Sequence, residues 1–577
     1  MNFKIRLLAL LLVIMMCLTS CDILGGIFTP EETTTTTSTT ATTATTKPSP
    51  EIPTFNRKKS STTTAQLAAR YTLTEEEYAA ICALVDQMVE GALPDPDGDS
   101  TVGKFTLDEV NAIYEEYEEK YYYLAEQYVI SMIIYYAKME DEEASTRYNN
   151  TMEMLLDLET AYTEGLKTIY KNSPYSAELF KDWTEEELAE LEEFDPVITE
   201  LQKAAEAIQL EYEQLDSESK TYNDDVALIY AKYVAKNNEI AKYYGYDNYY
   251  EYATKNVYDR DYESTDVVKF RSYVLTDVFP NLSKVKGKMN SAAQALSERD
   301  LETAENFLYN EKFDALKKNY VVGYLHSLTG LMGEYMRDVF DNKNCVFSGR
   351  EDSHPTAFQT YLPASETPIC FFGSNGQSSL TIVHEIGHYY AAKYNNDLDS
   401  MDLLETHSQG NEFLFLDWCE QYINDNIFEV IESYQVYSTL CTIVMSTIVD
   451  EFEYLVYTSA NVENFTSNEF DEIMKKVCSK YGGVGVVTSM LADPNSYWRA
   501  VVVRQPVYYI SYAISAVAAL EIGALVDADR EAGYTAYTTL VEGVFPEDGF
   551  VNALTKAGLY TPFQQEAYDM ISEAFFK

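Results

Sequence analysis

Two histidines four residues apart, with a glutamate beside the first, carry the most specific chemistry in this chain: His384-Glu385-Ile386-Gly387-His388. Residues i and i+4 share one face of a helix, so both imidazoles can reach a single metal ion. A hydrolytic zinc site takes three protein ligands and leaves one position open for water, and Glu385 stands where it can remove that water's proton. The chain holds only five histidines, which argues against a chance pairing. Leu380, Val383, Ile386 and Tyr390 recur at helical spacing on an adjoining face, so the motif is expected on a partly buried helix. The chemistry this predicts is metal-assisted hydrolysis, first of all of a peptide bond.

A third ligand must come from elsewhere, and Asp402, Glu405, His407 and Glu412 follow downstream. Glu412 enters the apolar run Phe413-Leu414-Phe415-Leu416-Asp417-Trp418, where an ionised carboxylate needs compensation such as a cation. Stabilising a helix N-terminus would explain it equally well. Upstream, Thr367-Pro368-Ile369-Cys370-Phe371-Phe372 reads as a short strand ending in Gly373-Ser374-Asn375-Gly376. Its edge could present an extended peptide to the metal in register, the alternative being a buried strand with a plain turn.

The elements that must position these residues are mostly helices. Between Asp97 and Phe279 the only prolines are Pro174 and Pro196, while capping pairs such as Thr74 with Glu77 and Thr184 with Glu187 recur. The N-terminus carries Lys4 and Arg6, an apolar run from Leu7 to Met16, and Leu18-Thr19-Ser20-Cys21, the pattern of a secretory leader. That ending resembles the lipobox of bacterial lipoproteins, which implies a diacylated Cys21 holding the protein to a membrane outside the cytoplasm. Residues 22–66, dominated by threonine, serine and proline, are expected to form a disordered tether. The organisation predicted is a leader at 1–21, the tether at 22–66, an N-terminal helical lobe at 67–225 and a catalytic region at 226–577.

Acidic side chains outnumber basic ones 93 to 42, a formal net charge of −51, which disfavours nucleic acid as a partner. Beyond Cys17 and Cys21, six cysteines are widely spaced without a CxxC pair, and read as small core residues rather than a disulfide framework or a thiolate metal site. Oligomeric state has no signature in the sequence.

The motif with Glu405-Thr406-His407-Ser408 and Glu412-Phe413, the strand Pro368 to Phe372, and Pro506-Val507-Tyr508-Tyr509-Ile510-Ser511-Tyr512-Ala513 resemble the active site of the oligopeptidase family of thimet oligopeptidase, neurolysin and oligoendopeptidase F. The resemblance implies a mainly α, two-lobed fold with a deep channel and one small sheet beside the zinc helix. It also implies short unstructured peptides as substrates and one zinc held by His384, His388 and Glu412. Glu385 would be the general base, Tyr509 and Tyr512 would be catalytic, and Ile369, Cys370, Phe371, Phe372, Gly373 and Tyr508 would contact substrate. Glu405 and His407 would orient the ligands. One departure stands out: where the family carries a histidine before the proline of the tyrosine segment, this chain has Val501 and Val502, and no histidine follows His407. Tyr509 and Tyr512 would then act alone, or Arg499 or Arg504 would substitute, or the enzyme would be slow. A catalytically degenerate protein that binds peptides at the cell surface is the alternative.

Overall fold

The computed structural model describes residues 61–95, 101–184, 188, 196–216, 219–308, 313–395, 400–490, 494–545 and 548–577. The expected leader with Cys21, the tether up to residue 60, and Glu187 of the second capping pair lie outside these residues. The last part of the expected tether is structured. Thr62 donates its N–H to the Cys345 carbonyl at 2.8 Å, and Thr63 caps the helix Thr64–Ala68 in a reciprocal box with Gln66. Threonine, which reads as tether by composition, serves here as a cap.

The described residues are mainly helical and fall into two compact units. One comprises the described part of Arg57–Pro196 together with Asp338–Gly376; the other comprises Val197–Arg337 and Gln377–Lys577. The boundary expected between residues 225 and 226 is therefore corrected: position 225 lies inside the helix Tyr222–Tyr243. The chain leaves the first unit near Pro196 and returns to it for residues 338–376.

In the first unit the helices Glu75–Ala92, Leu107–Tyr136 and Glu142–Asn172 pack against one another. The Thr74 and Glu77 box opens the first of them, and Thr106 with Glu109 opens the second. Tyr114, Tyr117, Tyr121 and Tyr128 recur at spacings of a helical stripe and are all buried, with Tyr117 stacked on Tyr162 at 4.6 Å between ring centroids. The returning segment supplies three strands, β1 (Cys345–Phe347), β2 (Ala357–Leu362) and β3 (Thr367–Phe372), in the order β1-β3-β2. Phe358 of β2 meets Tyr136 edge-on at 5.9 Å, and His354 donates its N–H to the Tyr136 carbonyl at 2.7 Å.

β3 has the bounds the sequence suggests but is not an edge strand. It is the central strand, parallel to β1 through Cys345↔Cys370, Val346↔Phe371 and Phe347↔Phe372, and antiparallel to β2 along its whole length. Ile369, Cys370, Phe371 and Phe372 are buried. With both edges paired over Cys370–Phe372 and all four side chains in the core, the expectation of a free strand edge at these three residues is corrected. Gly373 is also explained by packing: a Cβ there would lie 1.9 Å from the His354 carbonyl oxygen. The six described cysteines beyond the leader are unbridged, five of them buried, as small core residues would be.

In the second unit the helices Ser379–Tyr394, Met401–Glu420, Asp425–Tyr457 and Ile510–Ala528 form the core. The last is long and apolar enough to cross a membrane, yet it is buried within the unit, as a core helix is.

Candidate metal centre

The motif sits on the helix Ser379–Tyr394, whose start is capped by Ser378 accepting the Thr381 N–H at 2.9 Å. Leu380, Val383, Ile386 and Tyr390 are buried as the periodicity predicts, and His384 and Glu385 are buried with them while His388 is partly exposed. Gly387 decides how near the next helix can come. A Cβ there would lie 2.8 Å from the His407 carbonyl oxygen and 2.8 Å from Ser408 Cα, so only glycine permits this crossing. Asn411 bridges the same crossing, donating to the Val383 carbonyl at 2.6 Å and accepting from Tyr324 at 2.7 Å.

The crossing helix, Met401–Glu420, carries both Glu405 and Glu412. Seven residues are two helical turns, so both carboxylates face the motif. They meet different atoms of His384. Glu412 Oε1 lies 2.6 Å from Nδ1, and Glu405 Oε2 lies 3.8 Å from Nε2. The donor atoms that lie within 4.8 Å of one another belong to His384, His388 and Glu405. The expected third ligand is thus corrected: Glu412 takes up the Nδ1 side of His384, and Glu405, expected in an orienting role, faces the open nitrogen. Glu412 is also not at a helix N-terminus, since its helix begins eleven residues earlier at Met401.

Two buried polar atoms in this group, His384 Nε2 and Glu405 Oε1, make no hydrogen bond among the described residues. A carboxylate on Nδ1–H and an unshared Nε2 lone pair is the arrangement of a metal-binding histidine, and two imidazoles with a carboxylate suit zinc. The residues therefore fit a divalent ion. Burial pulls the His384 imidazolium down, but the Glu412 hydrogen bond and charge, followed by Glu385 and Glu405, outweigh it and raise its pKa to about 9. Burial raises Glu405 to about 7, and it holds His388 well below the ordinary imidazole value with the help of His384. The carboxylates around this buried ring favour positive charge there, carried by a proton on the imidazole or by a metal ion in its place.

Gln435, on Asp425–Tyr457, donates its amide to Glu412 Oε2 and so completes a chain from Gln435 through Glu412 to His384. No motif marks Gln435, which is one of many buried polar residues on that helix. His407 makes its hydrogen bond elsewhere: its Nε2 lies 3.2 Å from the Leu540 carbonyl, and burial lowers its pKa to about 4, which leaves it neutral.

The tyrosine segment opens the helix Ile510–Ala528, which packs on Met401–Glu420 and is tied to it by Ser515 donating to the Asp402 carbonyl at 2.8 Å. The rings of Tyr508 and Tyr512 lie 5.1 Å apart and those of Tyr509 and Tyr512 5.7 Å. Tyr512 is buried, and burial, followed by Tyr508 and the Glu405 charge, raises its pKa. Arg499 is ion-paired to Asp471 at 2.6 Å, and Arg504 is exposed over the Tyr212 ring. Val502 is buried and Val501 half-buried.

No protein-family model matches the chain, and no curated protein does. Solved structures do. A crystal structure described as an oligoendopeptidase F matches with a TM-score of 0.61 at 17% identity, over 88% of this chain and 97% of the other. PZ peptidase A in complex with an inhibitor matches with a TM-score of 0.61 at 16% identity, again over 88% and 97%. An oligoendopeptidase F from Bacillus anthracis matches with a TM-score of 0.57 at 17% identity, over 87% and 95%. This chain has their fold.

Proposed function

We propose that the chain is a zinc-dependent endopeptidase that cleaves short unstructured peptides outside the cytoplasm, held to a membrane through a lipidated Cys21. The observation that carries the catalytic part is the convergence of His384, His388 and Glu405 with two orphaned polar atoms buried between them. The fold shared with oligoendopeptidase F and PZ peptidase A supports peptide as the substrate. The leader ending in Leu18-Thr19-Ser20-Cys21 supports the anchor.

Zinc, when bound, would supply Lewis acidity towards both water and the scissile carbonyl. Around it the chain's own residues have distinct tasks. Glu412, braced by Gln435, keeps the proton on His384 Nδ1 and so frees Nε2. Glu385 takes a proton from the attacking water and hands it to the departing amine. The phenols of the tyrosine segment donate hydrogen bonds to the oxygen that gains charge as the carbonyl is attacked. The binding-only alternative rests on the absent histidine alone.

The test is direct. Purified protein is assayed for metal by elemental analysis and for cleavage of a mixed peptide library with and without chelator. One zinc per chain and chelator-sensitive cleavage are expected; cleavage that persists in metal-free protein sinks the reading. Cys21→Ser is expected to move the protein from the membrane to the soluble fraction, and unchanged fractionation would refute the anchor.

A further inference from the structure

The turn that leads into the tyrosine segment is strained. Val507 has φ +63°, a left-handed conformation that a β-branched residue holds only when its surroundings impose it. Three side chains from elsewhere in the second unit grip this turn. Glu453, buried on Asp425–Tyr457, accepts the Val507 N–H at 2.9 Å. Tyr258 donates to the Pro506 carbonyl at 2.8 Å. Arg260, also buried, donates to Ser511 Oγ at 2.9 Å, reaches the Tyr508 carbonyl at 3.5 Å, and lies over the Tyr258 ring at 4.4 Å.

None of the three belongs to the metal group. What they hold is the backbone on either side of Tyr508, one helical turn before Tyr512. Burial holds the Glu453 carboxyl well above the usual carboxylate range, so it serves as a neutral acceptor, and its Oε2 has no hydrogen bond among the described residues. A buried acid that is only half used is poorly explained as a stabiliser of the core, where an apolar side chain would cost less. It is well explained as the partner of one particular backbone N–H.

We infer that Glu453, Tyr258 and Arg260 are positioning residues that hold the strained turn at Val507 and thereby fix the orientation of Tyr508 and of Tyr512, whose rings meet at 5.1 Å. This deepens the proposed peptidase and rests on that reading. Strain at this position replaces what a glycine would do freely: it permits one orientation of the following tyrosines instead of several.

The experiment uses the full chain with zinc bound and a quenched-fluorescent unstructured peptide, and reads kcat, KM and zinc content. Glu453→Leu removes the acceptor, while Glu453→Gln keeps an oxygen in the same place. Glu453→Leu is expected to lower kcat by about 10²-fold, the cost of a small misplacement, with KM little changed and zinc retained. Glu453→Gln should retain most of the parent kcat. Adding Val507→Gly to Glu453→Leu should restore kcat about tenfold, because glycine adopts the left-handed turn without help. Tyr258→Phe, which deletes one hydroxyl, should reproduce the fall more weakly and serves where Glu453→Leu does not fold. Parent-like kcat in Glu453→Leu or Tyr258→Phe at full zinc overturns the inference. So does a loss that follows zinc content, is equally large in Glu453→Gln, and is not recovered by adding Val507→Gly. If the parent itself shows no zinc-dependent cleavage, the proposed function fails first and this inference with it.

Discussion

Two buried carboxylates, Glu126 in the first compact unit and Glu405 in the second, are treated in opposite ways. In the first, Glu126 is only 7% exposed yet fully answered: it pairs with Arg70 at 2.7 Å and accepts the N–H and hydroxyl of Ser365 at 2.8 and 2.9 Å. Glu159 in the same unit accepts the Tyr121 hydroxyl at 2.9 Å. In the second, Glu405 is buried beside two imidazoles with one oxygen left without a partner. Burial with partners is construction, since each lost water contact is replaced. At Glu405 the unmet oxygen has a counterpart in His384 Nε2, and both atoms belong to the same His384, His388 and Glu405 group.

The largest test of that contrast is at Glu405 and Glu412, which local sequence hardly separates. Glu405→Ala should abolish both stoichiometric zinc and activity, since a three-ligand site missing one ligand holds metal poorly. Glu412→Gln should weaken zinc affinity by about 10- to 100-fold and keep activity when zinc is supplied in excess, as expected of a residue that orients a ligand. A chelator titration of the two variants decides the matter; the reverse ranking would return the third ligand to Glu412.

A smaller effect is expected in the first unit. Glu126→Ala should cost about 2 kcal/mol in denaturant unfolding while leaving zinc content and kcat unchanged, because only partnered bonds are lost. A fall in zinc content would show that this carboxylate is more than construction. Smaller still is the pH dependence at Glu159. Burial raises its pKa from an ordinary 4.5 to about 7. Its contribution to stability is therefore full below about pH 4.5 and is lost as pH rises through 7. Glu159→Gln should make the stability profile flatter over that window, and an unchanged profile would mean the carboxyl is already solvated.

Much of the site was legible because it is local. Helical spacing placed His384, Glu385 and His388 on one element, capping residues marked where helices begin, and turn residues bounded β3 at Thr367–Phe372.

What the sequence by itself determined is the set of chemical groups and the helices that carry them. Which carboxylate meets which nitrogen was decided by tertiary structure, because Glu405 and Glu412 share a stripe and only the close crossing at Gly387 sets the axial offset between the two helices. The same holds for β3, whose central place depends on β1 and β2 pairing across it, and for residues 338–376, which rejoin helices some two hundred positions earlier. It holds equally for Arg499, whose partner Asp471 lies 28 positions earlier. Such contacts join residues far apart in the chain, and their energies depend on distances that no local pattern encodes.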